Sequence, residues 1–254
     1  MTARAVIVPL TDSTAERRAL FVPGVDGGLR PACAVAEVVR DDLVVEGAML
    51  ASPLDRHRVE RHAELILEAA LRRSGQAPRR LIGYSYGALV ALEAAQQALA
   101  ADLTAPHLIL LDTPVIPGRQ RAPAPITMLW YIATGAGLEL SLSDFEALDP
   151  QRRHEVVVRS CAPHSPGFDE PASRALLTTI KASCAAWEKY EPRPYTGPAD
   201  VVVAEESART GGSDWSQIFP FGYRTRRVPG GHLRVLAAAG AAALGGALTE
   251  LVAP

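Results

Sequence analysis

A doubly wound α/β architecture, with a mostly parallel central sheet and helices on both faces, is what the 254-residue sequence predicts. Three observations carry this. Short β-prone apolar runs recur along the chain. Helical stretches separate several of them. Apolar residues make up 48% of the chain, enough to cover a sheet on both faces.

The first such run is Ala19 to Val22, ended by Pro23-Gly24. Leu43 to Leu50, Arg80 to Tyr84, His107 to Asp112 and Ala199 to Ala204 follow, with Tyr223 to Val228 a weaker sixth. Continuous rather than alternating apolar character marks strands buried on both sides. Between the second and third runs, His57 to Arg73 places Val59, Ala63, Ile66, Leu67, Ala70 and Leu71 on one helical face. Ala88 to Ala100 is apolar nearly all round in its first half, which predicts a helix under the centre of the sheet.

The rhythm breaks between about Gly118 and Lys189. Prolines at 114, 117, 123 and 125 open this stretch, and helical patterns follow without a clear strand. It reads as a helical lid inserted after the fourth strand, within a single domain spanning residues 1–254. The Ala-rich tail from Leu236 to Val252 reads as a helix packed on the core.

The formal net charge of −2 argues against bulk nucleic-acid binding. Cys33, Cys161 and Cys184 are far apart and form no Cys-x-x-Cys or Cys/His cluster, so neither a disulfide framework nor a metal site is predicted. The short apolar run Ala5 to Leu10 is too brief for a signal peptide, and no run approaches the ~20 apolar residues that span a bilayer. A cytoplasmic location away from membranes is therefore expected.

The chemistry concentrates at Gly83-Tyr84-Ser85-Tyr86-Gly87, a G-x-S-x-G between a predicted strand and a predicted helix. That context makes it a nucleophile elbow and specifies an α/β-hydrolase fold. A turn this tight forces strained dihedrals on Ser85. Side chains at positions 83 and 87 would collide with the adjoining strand and helix, hence glycine at both. The serine hydroxyl is thereby exposed at a helix N-terminus, where partial positive charge favours an oxyanion.

A serine needs a base, and in this fold the chain order is Ser, acid, His. His232, in Val228-Pro-Gly-Gly-His232, is the one histidine beyond the last predicted strand. Asp112, ending the fourth strand, is the favoured acid, since ligands bind at the carboxyl edge of such a sheet. Glu205, Glu206 and Asp214, after the fifth strand, are the alternatives. The oxyanion hole is expected from the backbone N–H of Tyr86 and that of Val25, in the loop Pro23-Gly24-Val25-Asp26-Gly27-Gly28. This loop lacks the G-x-G-x-x-G spacing of a dinucleotide site.

Gly83-Tyr-Ser85-Tyr-Gly-Ala-Leu-Val-Ala-Leu-Glu93 resembles the nucleophile motif of thioesterase domains of fatty acid, polyketide and nonribosomal peptide synthases. Phe21-Val-Pro-Gly-Val25-Asp-Gly looks like their oxyanion loop. Leu110-Leu-Asp112-Thr-Pro looks like the acid-bearing strand of the chain-releasing type, and Val228-Pro-Gly-Gly-His232 like their histidine motif. Trp215 fits a recurring tryptophan. The resemblance implies a triad of Ser85, Asp112 and His232 under a helical lid. It also implies a substrate carried on the phosphopantetheine of an acyl or peptidyl carrier protein, no other cofactor, and release by hydrolysis or macrocyclisation. Gly231 departs from the family, which often places an acidic residue before the histidine. Arg56, Arg58, Arg61, Arg72, Arg73, Arg79 and Arg80 form a basic region that could dock an acidic carrier. A small-molecule carboxylesterase of the same fold, a type II editing thioesterase and a non-catalytic binding protein are the competing readings.

Overall fold

The computed structural model describes residues 4–50, 57–113, 122–209 and 214–252. Among them, seven strands form one sheet: β1 (Ala5–Pro9), β2 (Arg18–Val22), β3 (Val44–Leu50), β4 (Arg80–Tyr84), β5 (His107–Leu111), β6 (Ala199–Ala204) and β7 (Arg224–Val228). Their order across the sheet is β1-β3-β2-β4-β5-β6-β7. Only the β1–β3 pairing is antiparallel, with Ala5 opposite Leu50 and Pro9 opposite Glu46. The other pairs are parallel.

The helices are α1 (Arg30–Val38), α2 (Val59–Ser74), α3 (Tyr86–Ala100), α4 (Pro125–Gly135), α5 (Leu142–Ala147), α6 (Pro150–Cys161), α7 (Glu170–Lys189), α8 (Glu205–Arg209) and α9 (Ala238–Val252). The predicted strands and the two predicted core helices appear within about two residues of their expected ends. Three elements were not anticipated, one of them α8, which stands where a loop after the fifth predicted strand was expected. The run at Ala5 is an edge strand, and α1 follows the glycine loop after β2.

Successive residues of each parallel strand feed two cores on opposite faces of the sheet. Leu81, Leu108, Leu110 and Val201 point to α2 and α3. Ile82, Ile109, Leu111 and Val202 point the other way, into the cluster that holds Val35 of α1 and Leu244 and Leu248 of α9. This explains the continuous apolar runs: a strand covered on both sides has no solvent face. α3 follows the central strand β4, and twelve of its fifteen residues are buried.

Between β5 and β6 the described residues form α4 to α7 and a short 3₁₀ turn, with no strand among them. Local signals start three of these helices. Ser141, Asp149 and Asp169 each accept a hydrogen bond from a backbone N–H three residues on, and a proline occupies the first or second position of α6 and α7. Their buried residues Leu129, Phe145, Val157 and Ile180 join the core under α2 and α3. The opening of the predicted lid, residues 118–121, lies outside the described residues. None of the described helices is long and apolar enough to cross a membrane.

Candidate active site

β4 delivers Ser85 at the carboxyl edge of the sheet, and α3 starts on the next residue. Ser85 has φ 54° and ψ −124°, a conformation that an L-residue holds only when its surroundings enforce it. Three contacts do so. Its N–H donates to the Leu111 carbonyl at 3.0 Å. Its carbonyl accepts from the Ala88 N–H at 3.0 Å and lies 2.9 Å from the Thr113 hydroxyl.

The flanking glycines are required by close approach. A Cβ on Gly83 would stand 2.5 Å from the Ala88 Cα, and one on Gly87 would meet the carbonyl oxygens of Val22 and Pro23. These are backbone atoms and cannot swing aside. Gly87→Ala is therefore expected to cost about 3 kcal/mol, a fall of about 6–12 °C in the unfolding midpoint. Calorimetry checks this, and an unchanged midpoint would contradict the packing described.

Three side chains from distant parts of the chain meet at this edge. His232 Nε2 lies 3.0 Å from Ser85 Oγ, and His232 Nδ1 lies 2.8 Å from Asp112 Oδ2. Asp112 directly follows β5 at φ 43°, and its N–H donates to Val202 at 2.7 Å. Its Oδ1 accepts from the Ala204 N–H and its Oδ2 from the Ser207 hydroxyl, both at 2.8 Å. Burial raises the Asp112 carboxyl, but these hydrogen bonds and the one from His232 outweigh it and hold the group below its usual range. Ser85 and Asp112 are buried, while the imidazole is 18% exposed.

Of the alternative acids, Asp214 is exposed and accepts from the Ser216 N–H. Glu205 and Glu206 are exposed on α8. The Glu206 carboxylate lies where a Cβ on Gly231 would stand. The geometry thus brings Asp112, and not these three, to His232. Trp215 is buried and stacks on Phe219 at 5.6 Å, as part of the core.

Val25 sits in the tight turn closed by the Gly27 N–H and the Gly24 carbonyl at 3.0 Å. The turn lies against the elbow: the Cβ direction of Gly24 points at the Tyr84 ring, 3.4 Å away, and Gly87 abuts Val22 and Pro23. Val25 therefore belongs to a turn that touches both sides of the elbow, and Tyr86 directly follows Ser85. Tyr86 opens α3, where the first N–H groups of a helix have no intrahelical acceptor.

The basic region reads differently in three dimensions. Arg58 pairs with Glu60, Arg61 with Glu64, Arg72 with Glu68 and Arg73 with Glu46. Arg79 and Arg80 lie at the opposite end of β4 from Ser85, in a cleft with Arg17 and Arg18, and Arg56 lies outside the described residues. Carboxylates thus pair with four of the seven arginines, Glu64 and Glu68 from three or four residues away on α2 and Glu46 from β3. Among the described residues no group of three or more His, Cys, Asp or Glu side chains converges as a metal site.

Three contributors escaped the sequence. Ser207 holds the acid, Thr113 holds the elbow, and Tyr131 of α4 stacks on His232 with ring centroids 6.2 Å apart. Ser207→Ala removes one of the bonds on a buried carboxylate. It should lower kcat by about tenfold, the equivalent of one hydrogen bond of ~1.4 kcal/mol. Steady-state kinetics would check this, and an unchanged kcat would remove Ser207 from the support of Asp112.

The sequence matches the thioesterase domain family model over residues 39–248. No curated protein matches it. Among solved structures, a four-domain nonribosomal peptide synthetase bound to AMP and glycine superposes with a TM-score of 0.83 at 17% identity. That match covers 98% of this chain but only 20% of the synthetase. The Vlm2 thioesterase domain gives 0.75 at 17% identity over 99% of both chains. The NocB thioesterase domain, in covalent complex with a fluorophosphonate nocardicin G analogue, gives 0.65 at 19% identity over 98% of this chain and 100% of its own. At such identities the likeness is one of fold.

Proposed function

Because the chain belongs to the thioesterase domain family, we propose that it releases an acyl, polyketide or peptidyl chain from the pantetheine thioester of a carrier protein through an acyl-enzyme on Ser85. The observation that carries this reading is the hydrogen-bonded series from Ser85 Oγ through His232 to Asp112, beside a loop that can hold an oxyanion. The folds of the synthetase and of the Vlm2 and NocB domains support a carrier-bound substrate.

In the first step His232 Nε2 takes the Ser85 proton as Oγ bonds to the thioester carbonyl carbon. Asp112 fixes the tautomer and stabilises the imidazolium. The N–H groups of Tyr86 and Val25 take the charge on the carbonyl oxygen, at roughly 3 kcal/mol per donor. The C–S bond then breaks, and the imidazolium proton goes to the departing pantetheine sulfur. In the second step His232 deprotonates water, or a hydroxyl or amine of the acyl chain itself, which attacks the ester. The bond from the acyl carbon to Oγ breaks, the imidazolium returns its proton to Ser85 Oγ, and the product is an acid or a macrocycle. In this reading residues 1–254 act as one unit, and α4 to α7 roof the acyl chain as a lid. The unpaired thiols Cys33, Cys161 and Cys184 suit a cytoplasmic setting.

The test is the rate of release from an acyl-pantetheine set against that from the oxygen ester of the same acyl group. Preference for the thioester is expected. Equal or faster cleavage of the oxygen ester would replace this reading with a carboxylesterase.

A further inference from the structure

The elbow explains Gly83, Ser85 and Gly87 but makes no demand for an aromatic residue at position 84. The structure gives that ring a place. Tyr84 stacks on the His232 imidazole with centroids 4.9 Å apart and planes 20° apart, and its other neighbour is Gly24 of the β2 loop. Its hydroxyl donates to the His232 carbonyl at 2.7 Å, so one side chain touches both the ring and the backbone of that residue. Burial, with the carboxylates of Asp26 and Asp112 nearby, pushes the phenol well above its ordinary value and keeps it a donor.

His232 needs such support. It follows Pro229-Gly230-Gly231, with Gly230 at φ 96°; the Gly230 carbonyl accepts from Glu206 N–H and the Gly231 carbonyl from Arg234 and Val235 N–H, bonds that hold the backbone but not the imidazole ring. A second ring comes from elsewhere in the chain. Tyr131 of α4 stacks on the imidazole at 6.2 Å and 26°. One turn on, Gly135 of α4 lies where an added Cβ would meet the Leu233 side chain at 3.1 Å.

We propose that Tyr84 and Tyr131 are positioning residues that clamp His232 in line between Asp112 and Ser85, and that the seating of α4 thereby sets the reactivity of the serine. This rests on the reading of His232 as the base. Tyr84 is a fixed jaw, since it belongs to the central strand. Tyr131 is carried by the segment between β5 and β6, so displacement of α4 by an entering acyl chain or carrier would release the ring. Acyl transfer would then be coupled to correct seating of that segment over the substrate.

The experiment uses the full chain as wild type, Ser85→Ala, Tyr84→Phe, Tyr131→Leu and Tyr131→Phe. Inactivation by an alkyl fluorophosphonate separates binding (KI) from the chemical step (kinact). The low-field proton resonance of the imidazole N–H facing Asp112 reports the geometry without chemistry. Tyr84→Phe and Tyr131→Leu should each lower kinact by about tenfold with KI unchanged, the effect of one lost hydrogen bond or stack. The low-field resonance should broaden in both. Tyr131→Phe, which keeps the ring, should recover most of kinact. Wild-type kinact and a sharp resonance in both Tyr84→Phe and Tyr131→Leu would overturn the clamp, as would a loss confined to KI. Failure of the underlying reading looks different: wild type would be as unreactive as Ser85→Ala, while the proton resonance would still register the two tyrosines.

Discussion

Replacing His232 with alanine should lower kcat by about 10⁴- to 10⁶-fold while leaving the fold intact, because among the described residues His232 is the histidine hydrogen-bonded to Ser85 Oγ. A serine hydroxyl is almost wholly protonated at neutral pH, and its nucleophilicity depends on a base within hydrogen-bond reach. His232 Nε2 is that group at 3.0 Å. The remaining described histidines are committed elsewhere. His62 is buried against Tyr86, His107 bonds Asp200, and His154 bonds Ser173. His57 and His164 are exposed. Steady-state kinetics with an acyl-pantetheine gives the result, and circular dichroism checks the fold. A His232→Ala enzyme within tenfold of wild type would mean that the series through Ser85 is not the catalytic one.

Asp112→Asn should cost about 10⁴-fold in kcat, more than the modest change in shape suggests. With its one oxygen on the Ala204 N–H, the amide turns its Nδ2, a donor only, toward Ser207 and His232. It cannot hold the imidazole in the required tautomer or stabilise its cation. The same substitution has a signature in stability. The Asp112 carboxyl lies below its ordinary value of 3.8 in the folded chain, so its contribution is fully present above that pH and is lost as pH falls through the folded value. The stability difference between wild type and Asp112→Asn should therefore shrink on acidification below about pH 4. Asp214→Asn, at an exposed carboxylate bonded to its own loop, should leave kcat unchanged. The opposite pattern, a silent Asp112→Asn and a damaging Asp214→Asn, would move the acid to the loop after β6.

The legible part of the site was the part that backbone constraint writes into sequence. Glycine at 83 and 87, a serine between strand and helix, and glycines ahead of His232 all reflect local conformation, and local conformation selects residue types. Asp112 was readable for the same reason, as the residue just past a buried strand. What escaped was tertiary. Ser207 and Thr113 are ordinary hydroxyl residues until β4, β5 and β6 lie side by side. Tyr131 lies in a helix with no pattern linking it to residue 232, about 100 positions away in sequence. The edge strand at Ala5 was missed because it pairs on one side only and is too short to show a period. α1 was missed because it has a proline in its first turn and two β-branched valines, Val35 and Val38, which blur its helical pattern. The arginines on α2 misled for a related reason: composition shows the cations, and only the helix shows Glu60, Glu64 and Glu68 beside them.

In the proposed reaction Ser85 carries the acyl group. Intact-mass spectrometry of wild type and Ser85→Ala, each mixed with a panel of acyl-pantetheines, tests it most directly. The account requires a mass increase equal to the acyl group on wild type, none on Ser85→Ala, and free pantetheine thiol in step with the adduct. Thiol release at equal rates from both proteins, or an adduct that persists on Ser85→Ala, would contradict it.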